Sequence, residues 1–296
     1  MESIDKTQCS AAPLCPICGN KSSIIDKVKT INPESDDTVD LRKCSACDHW
    51  WIDPLPKQEY LSRLYADNSL FAISKGYDEE SKSSLADINS LEEYTGMIFT
   101  SPSKQNKPNF LEIGVGSGHL FNYVADKVNM RFGVEPGSWK PSHPNIVTDI
   151  GLIPKDIKFD IIVVQDVLEH LASPVAILKK LRSVANSGCV ITLGFPNKDS
   201  LPARLFKGKW RMIRPLGHIH FFSSKSILRS LQQSGWKIVF KQKCRPAHLS
   251  LSDAARNFDW KLFRNPLRGF YRLVKVLLIN ELFLEKDQWL VQAIAK

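Results

Sequence analysis

The sequence lacks several features that would assign it to common classes of protein. Its N-terminal residues, MESIDKTQCSAAPLCPICGN, lack the basic and then apolar order of a signal peptide. No uncharged apolar run approaches the roughly 18 residues that a membrane-spanning helix needs. We therefore expect a soluble, cytoplasmic protein, in which the seven cysteines are thiols or metal ligands rather than disulfides.

Acidic residues are scarce in the last third of the chain. Residues 201–296 contain 19 Lys and Arg against 5 Asp and Glu, whereas residues 1–200 contain 21 against 26. The net charge of +9 therefore comes from the last third alone. Such a surplus indicates an anionic partner, such as a phosphorylated substrate, nucleic acid or an acidic membrane face, or else a solvated basic surface.

Four cysteines near the N-terminus form two CxxC pairs. The first is CPIC, with Cys15 and Cys18, and the second is CSAC, with Cys44 and Cys47. Each pair lets two thiolates approach one ion from a tight turn, so the two pairs predict a tetrahedral zinc site. Its binding energy of roughly 10–16 kcal/mol would fold a short module. Four thiolates leave no open coordination position, which indicates a structural zinc; two redox or buried thiol pairs are the alternative.

Composition and patterning divide the chain into three parts. We predict a zinc ribbon over residues 1–56, whose Trp50 and Trp51 pack onto the next domain, a helical linker over 57–107, and a cofactor-binding domain over 108–296. In that domain strand-like and helix-like segments alternate, which predicts an α/β fold with a doubly wound, mostly parallel, Rossmann-like sheet. The segment GHLFNYVADKV, after the first strand, is predicted to be a helix. Ligands of such sheets bind at the carboxyl ends of the strands.

A glycine-rich turn, LEIGVGSGHL over residues 111–120, follows the first strand of that domain. His119 stands where a dinucleotide fingerprint needs its third glycine, and the Gly-Lys-Ser/Thr of a phosphate loop is missing. Glu112 would repel a pyrophosphate but can pair with an ammonium group. Glu135, at the end of the next strand, can accept hydrogen bonds from ribose hydroxyls. Together these residues indicate S-adenosylmethionine, which carries an ammonium and a sulfonium; a turn that only closes a strand–helix connection is the alternative.

Several motifs, in this order along the chain, resemble those of class I S-adenosylmethionine-dependent methyltransferases. They are FLEIGVGSGHL, GVEPG, FDIIVVQDVLEHL, ITLGFPN and GHIHFFSSKSILRSLQQSGW. The resemblance is nearest to the small-molecule and sugar-type branch, and it covers roughly residues 109–240 and the terminal WLVQAIAK. The segment CPICG…CSACDHWWIDPLP is similar to the zinc-binding head that is fused to some members of that branch.

The resemblance implies a methyltransferase domain over residues 108–296 and a set of cofactor-binding residues. The glycines and Glu112 would bind the methionine end of S-adenosylmethionine, Glu135 its ribose, and Asp149 would lie beside adenine. Residues after the fourth strand would line the pocket. The implied set is Glu112, Gly114, Gly116, Gly118, Glu135, Asp149, Asp166 and Val167.

Histidines are the candidates for a general base, which contributes about 10²–10⁴-fold when an acceptor must lose a proton. His218 is the first candidate, since the loop that carries it closes over the acceptor in the family it resembles. His170, after the fourth strand, is the second. The alternative is that His218 bonds to backbone and that His170 caps and packs its helix. His220 is predicted to be structural, and Trp210 and Arg211 are candidates for an acceptor wall and an anion contact.

A basic insert over about residues 245–286 separates the last two predicted strands. Its apolar residues recur at helical spacing beside Lys and Arg, which is typical of an interfacial helix or of a lid packed on the protein. We expect two helices, because a proline and a glycine interrupt the pattern. The insert would approach a lipid-linked or phosphate-bearing acceptor, with peripheral contact to the inner face of the membrane in the first case.

The leading hypothesis is a methyltransferase of glycan or small-molecule biosynthesis, which acts on an anionic acceptor such as a nucleotide sugar or lipid-linked saccharide. The alternative is an RNA methyltransferase, which would bind phosphates through its zinc head and the basic last third of the chain. It is less favoured, because no Asn-Pro-Pro-Tyr-like or Pro-Cys motif follows the fourth or fifth strand. A non-catalytic zinc-ribbon binding protein is the second alternative.

Overall fold

The computed structural model describes residues 13–29, 38–57, 59–61, 88–99, 107–137, 140–213, 217–244 and 288–296. In these residues the strands form two sheets, one of seven strands and one of four. The basic insert predicted over residues 245–286 lies outside the described residues. Within the described part of the chain no helix has the length and apolar character needed to cross a membrane.

The seven-stranded sheet is mostly parallel and has the order β10-β11-β8-β7-β4-β5-β6. Only β11 runs antiparallel to its neighbours, β8 and β10. The central strands are runs of Val, Ile, Leu and Phe that are buried on both faces, as expected for a parallel sheet covered by helices. This confirms the predicted Rossmann-like fold. The strands are β4 (Asn109–Ile113), β5 (Met130–Val134), β6 (Ile146–Val147), β7 (Phe159–Gln165), β8 (Ala185–Pro196), β10 (Trp236–Cys244) and β11 (Gln288–Ala295).

In the part of the chain that the structure describes, five α-helices accompany the sheets: α1 (Ile88–Phe99), α2 (His119–Tyr123), α3 (Pro174–Ser183), α4 (Leu201–Phe206) and α5 (Ser224–Gln233). The helix predicted for GHLFNYVADKV is regular only over α2. Beyond Tyr123 the chain continues in tighter turns, in which the amide of Lys127 bonds to the carbonyl of Val124 at 3.0 Å. These turns place buried Val128 in one apolar cluster with Leu120 and Val124 before β5 begins.

The four-stranded sheet joins the ribbon to the larger domain. Its order is β1 (Ser22–Lys29), β2 (Thr38–Cys44), β3 (Trp50–Asp53) and β9 (His220–Phe221). Strand β9 comes from far along the chain, yet Trp50 pairs with Phe221 and Trp51 with His220. Trp51 is buried in the same apolar cluster as the large sheet, which confirms that the tryptophans pack the ribbon onto the next domain.

The strand order places a crevice at the edge of the large sheet that is formed by the carboxyl ends of its parallel strands. From β4 the chain adds β5 and β6 on one side, and it later adds β7 and β8 on the other. The carboxyl ends of β4 and β7 therefore flank the switch point at which ligands of doubly wound sheets bind. Cys244 at the end of β10 pairs with Gln288 at the start of β11 at this same edge, so the two described residues that flank the predicted insert lie at the carboxyl edge of the sheet.

Candidate functional site

The glycine turn after β4 is shaped for close approach to its backbone. Gly114, Gly116 and Gly118 have φ angles of +80°, +55° and +84°, which other residues rarely adopt. A Cβ on Gly114 would lie 2.3 Å from Cγ2 of Val167, and one on Gly118 would lie 2.4 Å from Cγ of Pro141. A Cβ on Gly116 would meet no atom within 4 Å. The outer glycines thus allow tight packing, and the middle one borders open space that a ligand can fill.

Two buried carboxyl groups flank this turn. Glu135 accepts hydrogen bonds from the amides of Gly116 at 2.9 Å and Gly137 at 2.8 Å. In the described part of the chain Oε2 of Glu112 is buried without a hydrogen-bond partner. Burial raises the pKa of Glu112 well above its ordinary value, the nearby charge of Glu135 raises it further, and the amide of Phe121 partly offsets both. A cation placed beside Glu112 would remove this penalty.

The structure brings Asp166 and Val167 to the same edge, and it places Asp149 after β6. Asp166 has a φ of +51°, and its carboxylate accepts hydrogen bonds from the side-chain amides of Gln165 and Gln288, each at 3.1 Å. Val167 contacts the position of Gly114, as above. Asp149 is exposed, and its Oδ1 accepts a hydrogen bond of 2.7 Å from the amide of Gly151, so that Asp149 caps the short 3₁₀-helix Ile150–Leu152.

His170 and His218 lie side by side, with ring centroids 4.7 Å apart. Nδ1 of His170 is 2.7 Å from the carbonyl oxygen of Gly217, and Nδ1 of His218 is 2.9 Å from that of Met212. Since a carbonyl oxygen only accepts, each Nδ1 carries the hydrogen, and in the neutral rings each Nε2 carries a lone pair. His218 does bond to backbone, as its alternative predicted, and His170 bonds to backbone as well.

His220 has a different environment. It is fully buried and lies 3.0 Å, Nδ1 to Nε2, from His49 of the ribbon. Burial lowers the pKa of His220 to about 4. This position agrees with the structural role expected for it. Trp210 is also buried and packs on Phe221, and its role as an acceptor wall stays a prediction.

The four ribbon cysteines converge on one point. Their Sγ atoms all lie within 4.8 Å of one another, with 3.6 Å between Cys15 and Cys47 and 3.4 Å between Cys18 and Cys44. Zinc–sulfur bonds of about 2.3 Å in a tetrahedron would place the sulfurs about 3.8 Å apart. The arrangement therefore fits a structural zinc ion.

The two knuckles also orient donors toward the sulfurs. Backbone amides of Ile17 and Ala46 lie 3.4 Å and 3.3 Å from Sγ of Cys15 and Cys44, respectively. Burial raises the pKa of Cys18, but hydrogen bonds from the backbone and side chain of Asn20 outweigh it and lower that pKa to about 6. Such donors favour the thiolate form that zinc needs.

Comparisons with known proteins agree with this geometry. Residues 96–240 match a family model described as a methyltransferase domain. The match covers 145 of the 296 residues, and we call the domain that contains it the methyltransferase domain. An uncharacterised protein of Methanocaldococcus jannaschii is 26% identical over 136 residues, which are 44% of this chain and 64% of that relative, so the chain spans less than two thirds of the relative's length.

Two solved structures have the same fold as the methyltransferase domain. A chain from the complex between a Haloferax volcanii methyltransferase activator and a methyltransferase has a TM-score of 0.50 at 12% identity, covering 77% of this chain and 95% of that one. Magnesium protoporphyrin IX methyltransferase from Synechocystis, with bound S-adenosylhomocysteine, has a TM-score of 0.50 at 11% identity, covering 81% and 100%. Oε2 of Glu112, which has no hydrogen-bond partner among the described residues, and the open space at Gly116 fit S-adenosylmethionine as cofactor.

Sequence reasoning missed several residues of the methyltransferase domain's crevice. Glu169 stands within the motif DVLEHL, directly before His170. A carboxylate next to a candidate histidine is the sequence signal that could have indicated it. Gln165 and Gln288 hold Asp166, and Tyr94 from α1 donates a hydrogen bond of 2.9 Å to Oε1 of Gln165. No local pattern distinguishes these glutamines or this tyrosine from surface residues, because only the fold brings the segments together.

Proposed function

We propose that the chain is an S-adenosylmethionine-dependent methyltransferase that methylates a small-molecule or glycan acceptor, such as a nucleotide sugar or lipid-linked saccharide. The observation that carries this proposal is the carboxyl group of Glu112, which is buried beside three positive-φ glycines and has an oxygen without a partner among the described residues. An ammonium group is the ligand that such a carboxyl stabilises. The family match over residues 96–240 supports the same donor.

The residues of the crevice would act mainly by position. S-adenosylmethionine supplies a methyl group that its sulfonium already activates for displacement. Glu112 would hold the ammonium group, and Glu135 the ribose hydroxyls, so that the methyl group faces the acceptor. Holding two reactants in line can lower a barrier by about 7–11 kcal/mol. We expect His218, or else His170, to accept a proton from the acceptor through Nε2.

Positive charge near the crevice supports an anionic acceptor. A cavity of about 520 Å³ lies between the ribbon and the loop that follows β8, and Lys43, Lys198, Arg204 and Lys207 are among its lining residues. Lys198 is buried there and pairs with Asp48 and Asp199, and Lys43 also pairs with Asp48. The two carboxylates therefore balance the charges of two of the four cationic side chains. The sequence of the predicted insert, residues 245–286, contains eight Lys and Arg against four Asp and Glu.

Binding of S-adenosylmethionine is expected to release a proton from Glu112. Below its raised pKa the carboxyl of the free protein is protonated, and it must ionise to pair with the ammonium group, so affinity should rise with pH through that pKa. Replacing Glu112 with Gln should remove this pH dependence and weaken binding about tenfold to a hundredfold, the worth of a charge-assisted hydrogen bond. Calorimetric titration in buffers of different ionisation enthalpy measures both effects.

The control is Asp126→Asn, which removes an exposed carboxylate outside the crevice. It should bind the cofactor as the wild-type protein does. If Glu112→Gln released the same number of protons with the same affinity as wild type, the role proposed for Glu112 would be wrong. If the wild-type protein failed to bind the cofactor at millimolar concentration, the proposed function would be wrong.

The acceptor is identified by comparing wild-type cells with cells that lack this protein. We expect mass spectrometry of their glycans and nucleotide sugars to show a species that is lighter by one methylene in the deletion strain. Restoring the gene should restore the heavier species, whereas a Glu112→Gln copy should restore it poorly. Unchanged glycans together with under-methylated RNA would instead favour the RNA methyltransferase.

A further inference from the structure

We propose that Glu169, His170 and His218 form a second metal site, which binds a divalent cation and is separate from the four-cysteine cluster. One ligand atom from each of the three side chains lies within 4.8 Å of the others. Two of the ligands lie on the 3₁₀-helix Leu168–His170, which follows β7, and the third precedes β9. The amide of Ile219 donates a hydrogen bond of 2.9 Å to the carbonyl of Glu169, which fixes these two segments against each other.

Both histidines are oriented as metal ligands usually are. A histidine that binds a metal through one ring nitrogen commonly donates the other N–H to a carbonyl or carboxylate, which fixes its tautomer and ring orientation. Here Nδ1 of His170 and Nδ1 of His218 bond to the backbone carbonyls of Gly217 and Met212. The Nε2 lone pairs are therefore the atoms that can bind a cation.

Glu169 supplies the anionic ligand. Its side chain is 1% exposed, and its Oε1 lies 4.0 Å from Nε2 of His170. That separation is too long for a direct hydrogen bond but suits two atoms that bind the same ion. Two neutral imidazoles and one carboxylate leave a net positive charge on a divalent ion, and three protein ligands leave coordination positions open.

The open positions give this site a role beside the glycine turn, and this role rests on the proposed function. His170 lies three residues after Val167, which contacts the position of Gly114. A metal-bound acceptor hydroxyl would lose its proton to solvent water and not to His218 or His170, because the ion would occupy both Nε2 atoms and neither histidine would then be the general base. The oxygen would attack the methyl carbon, so that a C–O bond forms, the C–S bond breaks and a neutral thioether leaves. The acceptor class is therefore a hydroxyl compound that can bind a cation.

Manganese binding tests the site without measuring activity. Mn²⁺ prefers oxygen and nitrogen ligands, whereas soft thiolates favour zinc, so Mn²⁺ added to the full-length, zinc-loaded protein should not displace the ion of the cysteine cluster. Electron paramagnetic resonance of free Mn²⁺ should show one ion bound per chain in addition to the zinc. Glu169→Gln and His218→Gln should each weaken this binding at least about tenfold. His143→Gln, which changes a histidine outside the cluster, should bind as wild type does.

Two results would overturn the proposal. One is wild-type protein that binds zinc and S-adenosylmethionine but no Mn²⁺ at millimolar concentration. The other is folded Glu169→Gln and His218→Gln proteins that bind Mn²⁺ with wild-type affinity. Cofactor binding is measured separately by equilibrium dialysis, so a protein that binds Mn²⁺ at this site but not S-adenosylmethionine would support the metal site while contradicting the proposed function.

Discussion

Replacing Gly114 with alanine is expected to destabilise the methyltransferase domain by about 2–5 kcal/mol and to weaken S-adenosylmethionine binding. Two costs add at this position. The φ of +80° is unfavourable for any residue with a Cβ, by about 1–2 kcal/mol. The new methyl would also lie 2.3 Å from Cγ2 of Val167, and overpacking of this kind costs about 1–3 kcal/mol. Relief of the contact would displace the turn that borders the cofactor.

Two further variants separate these costs. Gly188→Ala has a similar φ of +75°, but its Cβ would meet no atom within 4 Å, so it should lose only about 1–2 kcal/mol and bind the cofactor normally. Adding Val167→Ala to Gly114→Ala removes the clashing methyl and should return part of the lost stability. Denaturant unfolding and calorimetric titration measure both quantities. A Gly114→Ala protein with the stability of Gly188→Ala and wild-type cofactor affinity would contradict the packing argument.

The large sheet could be predicted from the sequence because its strands carry their own signal. Segments such as FDIIVVQDV and CVITLGF are continuous apolar runs, and a strand buried on both faces requires such a run whatever its neighbours are. The zinc ligands could also be predicted from the sequence, since a CxxC pair places two sulfurs near one ion through local geometry alone. The turn at Gly114 was predictable for the same reason.

Features that depend on distant segments could not be predicted. Strand β9 has two residues, His220 and Phe221, and two residues show no periodicity. Its pairing with β3 arises from the way the whole chain packs. The contact between Gln288 and Asp166 joins residues on different strands in the same way. Helix α2 ends at Tyr123, and the turns after it pack Val124 and Val128 in one apolar cluster with Phe110 of β4, a tertiary contact that overrides helical propensity.

The pairing of β3 with β9 also connects the ribbon to the crevice. His218, which is a candidate metal ligand or general base, precedes β9 by two residues. Its neighbour Ile219 bonds to the ribbon and to the crevice: the carbonyl of Ile219 accepts a hydrogen bond from the amide of Ile52 at 3.1 Å, and its amide donates one to the carbonyl of Glu169. A change in the ribbon therefore reaches residues beside the proposed acceptor site through two backbone hydrogen bonds. The cysteine cluster supports the crevice although it is not expected to touch the substrate.

Replacing Cys44 with serine is expected to abolish zinc binding and to destabilise the whole protein, not the ribbon alone. The metal supplies roughly 10–16 kcal/mol of apparent binding energy to modules of this kind, which is comparable with the entire stability of a typical protein. Without it β3 would lose its support. The larger domain would then lose the partner of β9, the hydrogen bond of 2.7 Å from the Ser223 hydroxyl to the carbonyl of Cys47, and the contact between His49 and His220.

Zinc content, thermal unfolding and Mn²⁺ binding should therefore change together in Cys44→Ser. Cys189→Ser is the matched control, because Cys189 is a buried cysteine of β8 outside the cluster. It should retain its zinc and lose only the few kcal/mol typical of a polar substitution in a core, about 1–3 kcal/mol. Removing zinc from the wild-type protein with a chelator should reproduce the Cys44→Ser result. If the zinc-free protein instead unfolded at the wild-type temperature and bound Mn²⁺ and S-adenosylmethionine normally, the ribbon would be an independent module, and the backbone link through Ile219 would have no energetic consequence.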